Sequence, residues 1–163
     1  MGKASVKENK NIYFRTREEL GLSSRAAAAE LLECIEESRV EKIENDRVTP
    51  HPDEVLVMAE KYKAPYLCNY YCSHDCPIGQ EYVPEAHYDN VHEILVKMVV
   101  SLESINENKN RLMQILSDGQ IQKNETNDFV EIQKNLEQIS VMIEALQLWC
   151  EKMQAEGKID LND

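Results

Sequence analysis

Three cysteines and one histidine fall close together: Cys68, Cys72 and Cys76, with His74 between the last two. Three thiolates and an imidazole are a donor set for tetrahedral zinc, and thiolates hold iron–sulfur clusters. The spacing is four each time, not the two-residue gap of a zinc knuckle. On a helix, each step of four turns about 40° and rises about 6 Å, so the outer thiols stand about 12 Å apart. One metal can join all four only if the helix breaks near His74, and Pro77 offers such a break. A cluster would need a fourth ligand, with Cys34 or His51 as candidates. Two neighbouring thiols can also serve as a redox pair. The plainer alternative is that these cysteines are small apolar groups packed in a core. No resident cofactor is expected; zinc or an iron–sulfur cluster is what Cys68, Cys72, Cys76 and His74 would support.

The elements around this cluster are helical. Gly21 ends a first helix running from about Asn11 to Leu20, which packs through Ile12, Leu20 and Tyr13 or Phe14. The Ser23–Ser24 pair starts a second, since a short hydroxyl side chain accepts a hydrogen bond from a first-turn backbone N–H. Its run Ala26–Ala29 permits close approach by another helix. A third spans about Glu36 to Asn45, with Val40 and Ile43 facing inward and Asn45 and Asp46 closing it. Pro50 and Pro52 interrupt, and Asp53 caps a fourth helix carrying Val55, Leu56, Met58, Ala59 and Tyr62. The run from about Ile12 to Leu67, and VEKIENDRVTPHPDEVLVMAEKY most closely, resembles the lambda-repressor-like (XRE-type) helix-turn-helix domain. The continuation YKAPYLCNYYCSHDCPIG is similar to a segment that follows such domains in some uncharacterised bacterial regulators.

That resemblance implies a four- or five-helix DNA-binding domain, commonly dimeric, in a bacterial-type transcriptional regulator. The expected DNA contacts are Ser38, Arg39 and Lys42 in the major groove, and Arg25 and Arg47 on phosphates. Lys3, Lys7 and Lys10 can follow the backbone as a basic arm. Two features depart from the family pattern. Glu36, Glu37 and Glu41 stand where uncharged or basic residues serve DNA better, and the turn segment LLECI is about two residues longer than is usual for the motif, with Cys34 near the usual glycine. The alternative is a helical protein–protein interaction or scaffold protein with a degenerate helix-turn-helix that does not bind DNA.

Charge divides the chain. The formal net charge is −12. Residues 1–63 carry 11 Lys/Arg against 13 Asp/Glu, and residues 64–163 carry 7 against 17. The acidity therefore lies beyond the helix-turn-helix segment. Phosphate attraction depends on local basic groups, though a distant acidic body weakens non-specific binding.

From about Glu85 a 4–3 apolar spacing takes over: Val91, Leu95, Met98, Leu102, Ile105, Leu112 and Leu116, interrupted at Lys109. After an expected turn at Asp118–Gly119 it resumes with Phe129, Ile132, Leu136, Ile139, Ile143, Leu146, Cys150 and Met153. The pattern predicts an antiparallel helical hairpin of coiled-coil type, its two helices about 45 Å long. Val99, Val100, Val141, Met142, Leu148 and Trp149 widen the stripe and point to a homodimer through a four-helix bundle.

The expected fold is thus all-α: a helix-turn-helix domain over 1–63, a Cys/Tyr-rich connector over 64–84, and a helical hairpin over 85–163. No run approaches the ~20 apolar residues of a membrane span, and the first residues lack a secretory core. Five cysteines without such a signal suit reduced thiols, hence a cytoplasmic protein with no membrane partner. No glycine-rich phosphate loop or nucleophile elbow occurs, so neither an enzyme nor a small-molecule substrate is expected. The partners expected are double-stranded DNA and a second copy.

Overall fold

The computed structural model describes residues 10–87, 91–117 and 120–159, the side chain of residue 107 excepted. Among these, every regular element is a helix. The chain divides into two compact units, one built from Met1–Val83 with Lys152–Asp163, the other from Pro84–Glu151.

In the first unit α1 (Ile12–Glu19), α2 (Arg25–Leu32), α3 (Glu37–Glu44) and α4 (Pro52–Lys61) surround one core. α3 packs on both α1 and α2, and α4 packs on α2. Local chemistry sets most of the ends. Asn11 caps α1, its side chain accepting from the Phe14 amide, and Gly21 follows at φ 79°. Ser24 caps α2 by accepting from the Ala27 amide at 3.1 Å. Asp46, at φ 55°, turns the chain out of α3. α4 begins at Pro52, with His51 as its cap residue instead of Asp53, because the Glu54 carboxylate accepts from the His51 amide at 2.7 Å. Tyr13 and Phe14 are both buried, whereas Leu20 is exposed.

The link between α2 and α3 is a tight reversal. Glu33 sits at φ 61°, ψ −45°, and the Cys34 amide donates to the Leu32 carbonyl at 2.6 Å. This is a γ-turn of the rare, strained hand. Ile35 then drops into the core, 3% exposed, and α3 follows. The two-residue excess seen in LLECI is taken up here, with Cys34 left exposed.

The Cys/Tyr-rich segment is no mere connector. Ala64 and Leu67 belong to the same buried cluster as Leu32, Ile43 and Met58. α5 (Tyr66–Tyr70) runs directly into a π-helical turn, Tyr71–Asp75, whose Cys76 amide donates to the Tyr71 carbonyl at 2.9 Å. α6 (Pro77–Tyr82) then folds back on this turn. Gly79 permits the contact, since a Cβ there would lie 2.1 Å from the Cys72 carbonyl oxygen.

The second unit is built on α7 (Val91–Ile115) and on α8 (Thr126–Ala155) as far as Glu151. Their contacts run in opposite chain order. Arg111 meets Asp128 at 2.5 Å, the Asn135 side chain donates to Ser104 Oγ at 3.0 Å, and Ile94 packs with Met142, Ala145 and Leu148. The seam is not the expected one. Ile94, Ser101 and Ile115 are buried on α7, while Leu95, Leu102 and Leu116 are exposed. Met98, Ile105 and Leu112 belong to both lines, so the observed seam lies one residue earlier at every second step. α7 carries two adjacent apolar stripes, and periodicity alone does not choose between them. The seam position near its middle belongs to Asn108, half-buried and donating to the Ser104 carbonyl, not to the exposed Lys109. On α8, Ile132, Met142, Ala145 and Leu148 are buried, and Leu136 and Ile143 are exposed. The expected Asp118–Gly119 turn, and the arm residues Lys3 and Lys7, lie outside the described residues.

Candidate functional site

The candidate surface is the outward side of α3 with the start of α2. Val40, Ile43 and Glu44 share the inward face, at positions i, i+3 and i+4. A carboxylate on a buried face requires a cation, and two arrive. Arg17 donates to Glu44 through Nε at 2.5 Å and Nη2 at 3.1 Å, and its Nη1 donates to the Leu22 carbonyl at 2.6 Å. Arg25 Nε donates to Glu44 Oε2 at 2.8 Å. The side chains of Arg17 and Glu44 are 4% and 1% exposed, so this is an interior ion cluster. Burial alone would lower the Arg17 pKa; the Glu44 hydrogen bonds and charge more than offset that and hold it above its usual value.

Arg39 is engaged as well. Its Nε and Nη2 each donate to Glu54 at 2.7 Å, a two-pronged clasp, and Nη2 also reaches the Thr49 carbonyl at 3.3 Å. The Arg39 guanidinium, helped by the His51 amide, keeps the Glu54 carboxyl below its ordinary range. Arg47, mostly exposed, lies 3.5 Å from Glu41. Ser38 and Lys42 are exposed one turn apart on α3. Of the five expected DNA contacts, then, Arg25 and Arg39 are tied to carboxylates of the fold and Arg47 leans on a surface glutamate. Lys10, from the expected arm, pairs with Glu18 at 2.9 Å and lies over the Phe14 ring.

Beside the exposed Lys42 and Arg47, the surface also carries open carboxylates. Glu36, Glu37 and Ser38 are exposed, and with Arg25 and the half-buried Glu41 they line an open hollow of about 460 Å³. Comparisons with protein-family models, curated proteins and solved structures return no match.

The cysteine cluster looks different in space than in sequence. Cys68, Cys72 and Cys76 are all half-buried. Cys76 Sγ accepts from the Gly79 amide at 3.4 Å, which makes it the cap of α6. The His74 ring stacks on Tyr70 at 4.2 Å, with Nδ1 2.9 Å from Ser73 Oγ. Among the described residues, no three His, Cys, Asp or Glu side chains gather as a metal would need. Nearby, Tyr13 donates to Asp75 at 3.2 Å; burial first, and the Asp75 charge second, push its phenol far up.

Sequence reasoning missed Glu44 and Glu54 as partners. For Glu44 the signal existed, in the spacing that puts it beside Val40 and Ile43. For Glu54 only the fold brings Arg39, fifteen residues away, into reach.

Proposed function

We propose that this chain is a helical interaction protein whose first unit keeps a helix-turn-helix-type arrangement and meets a basic protein segment through α3. One observation carries the reading. Two of the expected DNA-contacting guanidinium groups, on Arg25 and Arg39, are held by Glu44 and Glu54, while Glu36 and Glu37 stay open and the half-buried Glu41 lies 3.5 Å from Arg47. Duplex DNA presents one negative charge per ~1.7 Å of axis, and a groove-facing helix with three carboxylates meets that field with repulsion. Lysine and arginine side chains of a protein partner meet the same carboxylates with attraction, and rim charges of this kind speed encounter and set orientation.

A second reading rests on Ser38 and Lys42, exposed one turn apart, with Arg47 past the end of α3. It makes the chain a sequence-specific DNA-binding regulator with a reduced set of contacts. One pair of titrations separates the two. A fluorescent Lys/Arg-rich decapeptide should bind the full chain at low salt and lose most of its affinity to the Glu36→Gln/Glu37→Gln/Glu41→Gln variant. Duplex DNA flanking the chain's reading frame should bind no better than random DNA. Sequence-dependent DNA binding that weakens steeply with salt and is lost in Lys42→Ala would overturn the first reading in favour of the second.

A further inference from the structure

We infer that a second copy of this chain covers the exposed stripe of α7, the two α7 helices lying antiparallel with Asn106 on the twofold axis. This surface is separate from α3, so the inference stands or falls apart from either reading above.

The stripe is Leu95, Val99, Leu102, Asn106, Lys109, Met113 and Leu116, all exposed. Its steps alternate between four and three, a heptad seam displaced by one residue from the seam that faces α8. Val99 is 61% and Met113 66% exposed, an unusual state for side chains of that kind at coiled-coil spacing. α8 extends the same face. Leu136 and Ile143 each follow a seam residue, Asn135 and Met142, as Leu95 and Leu102 follow Ile94 and Ser101. In two antiparallel helices the residue after a seam position turns to the same side on both, because reversing the chain also reverses the sense of rotation seen from one end. The pair therefore presents one apolar face to which both helices contribute.

The order of residues on the stripe identifies what covers it. Counted from Asn106, Val99 stands seven residues before and Met113 seven after. Glu103 stands three before and Lys109 three after. Leu95 and Leu116 stand eleven before and ten after. Reversed end for end, the stripe matches itself: Leu95 meets Leu116, Val99 meets Met113, and Lys109 lays its stem on Leu102 with its ammonium beside Glu103, twice by symmetry. A parallel pairing would set Lys109 against Lys109 and Glu103 against Glu103, so charge selects the antiparallel one. Among the described residues neither Glu103 nor Lys109 has an ion-pair partner within the chain. Asn106 meets its own copy at the centre. A primary amide both donates and accepts, so two can satisfy each other across a twofold, and a lone asparagine in an apolar seam fixes register. An interface of one patch with itself is the isologous kind that closed dimers use.

The test uses the full chain, without DNA or peptide. Light scattering should give twice 18.8 kDa, and Val99→Glu should halve that mass while the helical circular dichroism is kept. Asn106→Cys should form an Asn106-site disulfide with its own copy under mild oxidation, identified by mass spectrometry of the linked peptides so that native cysteines are not confused with it. Leu95→Cys alone should not link to itself, since two such sites lie about 33 Å apart along the pair. Mixed with Leu116→Cys it should link to that chain. A monomer at tens of micromolar, or self-linkage of Leu95→Cys in preference to the 95–116 link, would overturn the inference.

Discussion

The two units solve burial in opposite ways. In the first, helices of eight to ten residues cross around a shared centre, and twelve side chains from Tyr13 to Leu67 form one buried apolar cluster. In the second, helices of 25 and 30 residues meet along a single line, and among the described residues a buried apolar cluster holds five side chains. The cause is geometric. A short helix touched on two sides can bury a wide stripe; a long helix with one neighbour buries only the residues along the seam. The first unit can therefore afford interior charge, because its walls are complete enough to hold Arg17 and Glu44 dry. The second keeps its charged pairs at the surface and its surplus of leucine and valine in water.

The contrast is sharpest in its ion pairs. Glu44→Ala leaves Arg17 buried without a counter-charge, and is expected to cost about 3–5 kcal/mol. Arg111→Ala breaks pairs to Glu125 and Asp128 at a half-exposed site, and is expected to cost about 1 kcal/mol or less. The chain supplies its own reporters. Trp149, the single tryptophan, lies on α8, and six of the seven tyrosines lie in the first unit. Urea unfolding followed by tyrosine and by tryptophan signals should show the tyrosine midpoint collapse in Glu44→Ala with little change in the tryptophan midpoint. Equal shifts in both would mean the units are not energetically separate.

Apolar truncations press the same point. Met58→Ala opens a cavity in the first core and should cost about 2–5 kcal/mol at any protein concentration. Leu136→Ala removes a side chain that is already half in water. For an isolated chain it should cost under about 0.5 kcal/mol. If a second copy covers that face, its cost should grow as protein concentration rises, which is the signature to look for.

Much of the first unit was legible because its signals are local. Ser24, Gly21, Asp46 and Pro52 each act within a turn, and each marks a helix end close to where the expectation put it. The pairing of charges was not legible, because Arg17 and Glu44 are 27 residues apart and only the packing of α1 on α3 unites them. The cysteine segment was read both as a connector and as a place where small apolar thiols pack in a core; Leu67 is fully buried, and which neighbours bury it is not announced by anything short-range. In the second unit the helices were legible and the seam was not. Where a helix carries two apolar stripes side by side, only the partner decides which is inside.

Acid should loosen the first unit at a defined joint. Unfolded, the Glu54 carboxyl titrates near its ordinary 4.5; folded, Arg39 holds it lower. The native state therefore binds that proton less readily. The stabilisation is complete above about pH 4.5 and is lost as the pH falls through the folded value. The pair is partly solvated, so the loss should be about 1 kcal/mol or less. In Arg39→Ala the tyrosine-detected midpoint should start lower and then fall less steeply below pH 4.5 than in the parent. Parallel slopes would mean the clasp contributes nothing to the first unit's stability.

The smallest expected effect has the opposite sign. Glu33 is forced to φ 61° at the γ-turn that joins α2 to α3, a conformation that costs a side-chain-bearing residue energy and glycine almost none. Its ion pair to Lys61 at 3.1 Å is carried by a side chain 75% exposed and is worth little. Glu33→Gly should therefore raise the tyrosine midpoint by the equivalent of about 0.5–1 kcal/mol, less what glycine adds to the freedom of the unfolded chain. The tryptophan midpoint should not move, because the strain relieved lies wholly among the short helices. A drop in the tyrosine midpoint would show that the Glu33 side chain contributes more than its exposure implies, and that the reversal before α3 is held by charge as well as by backbone.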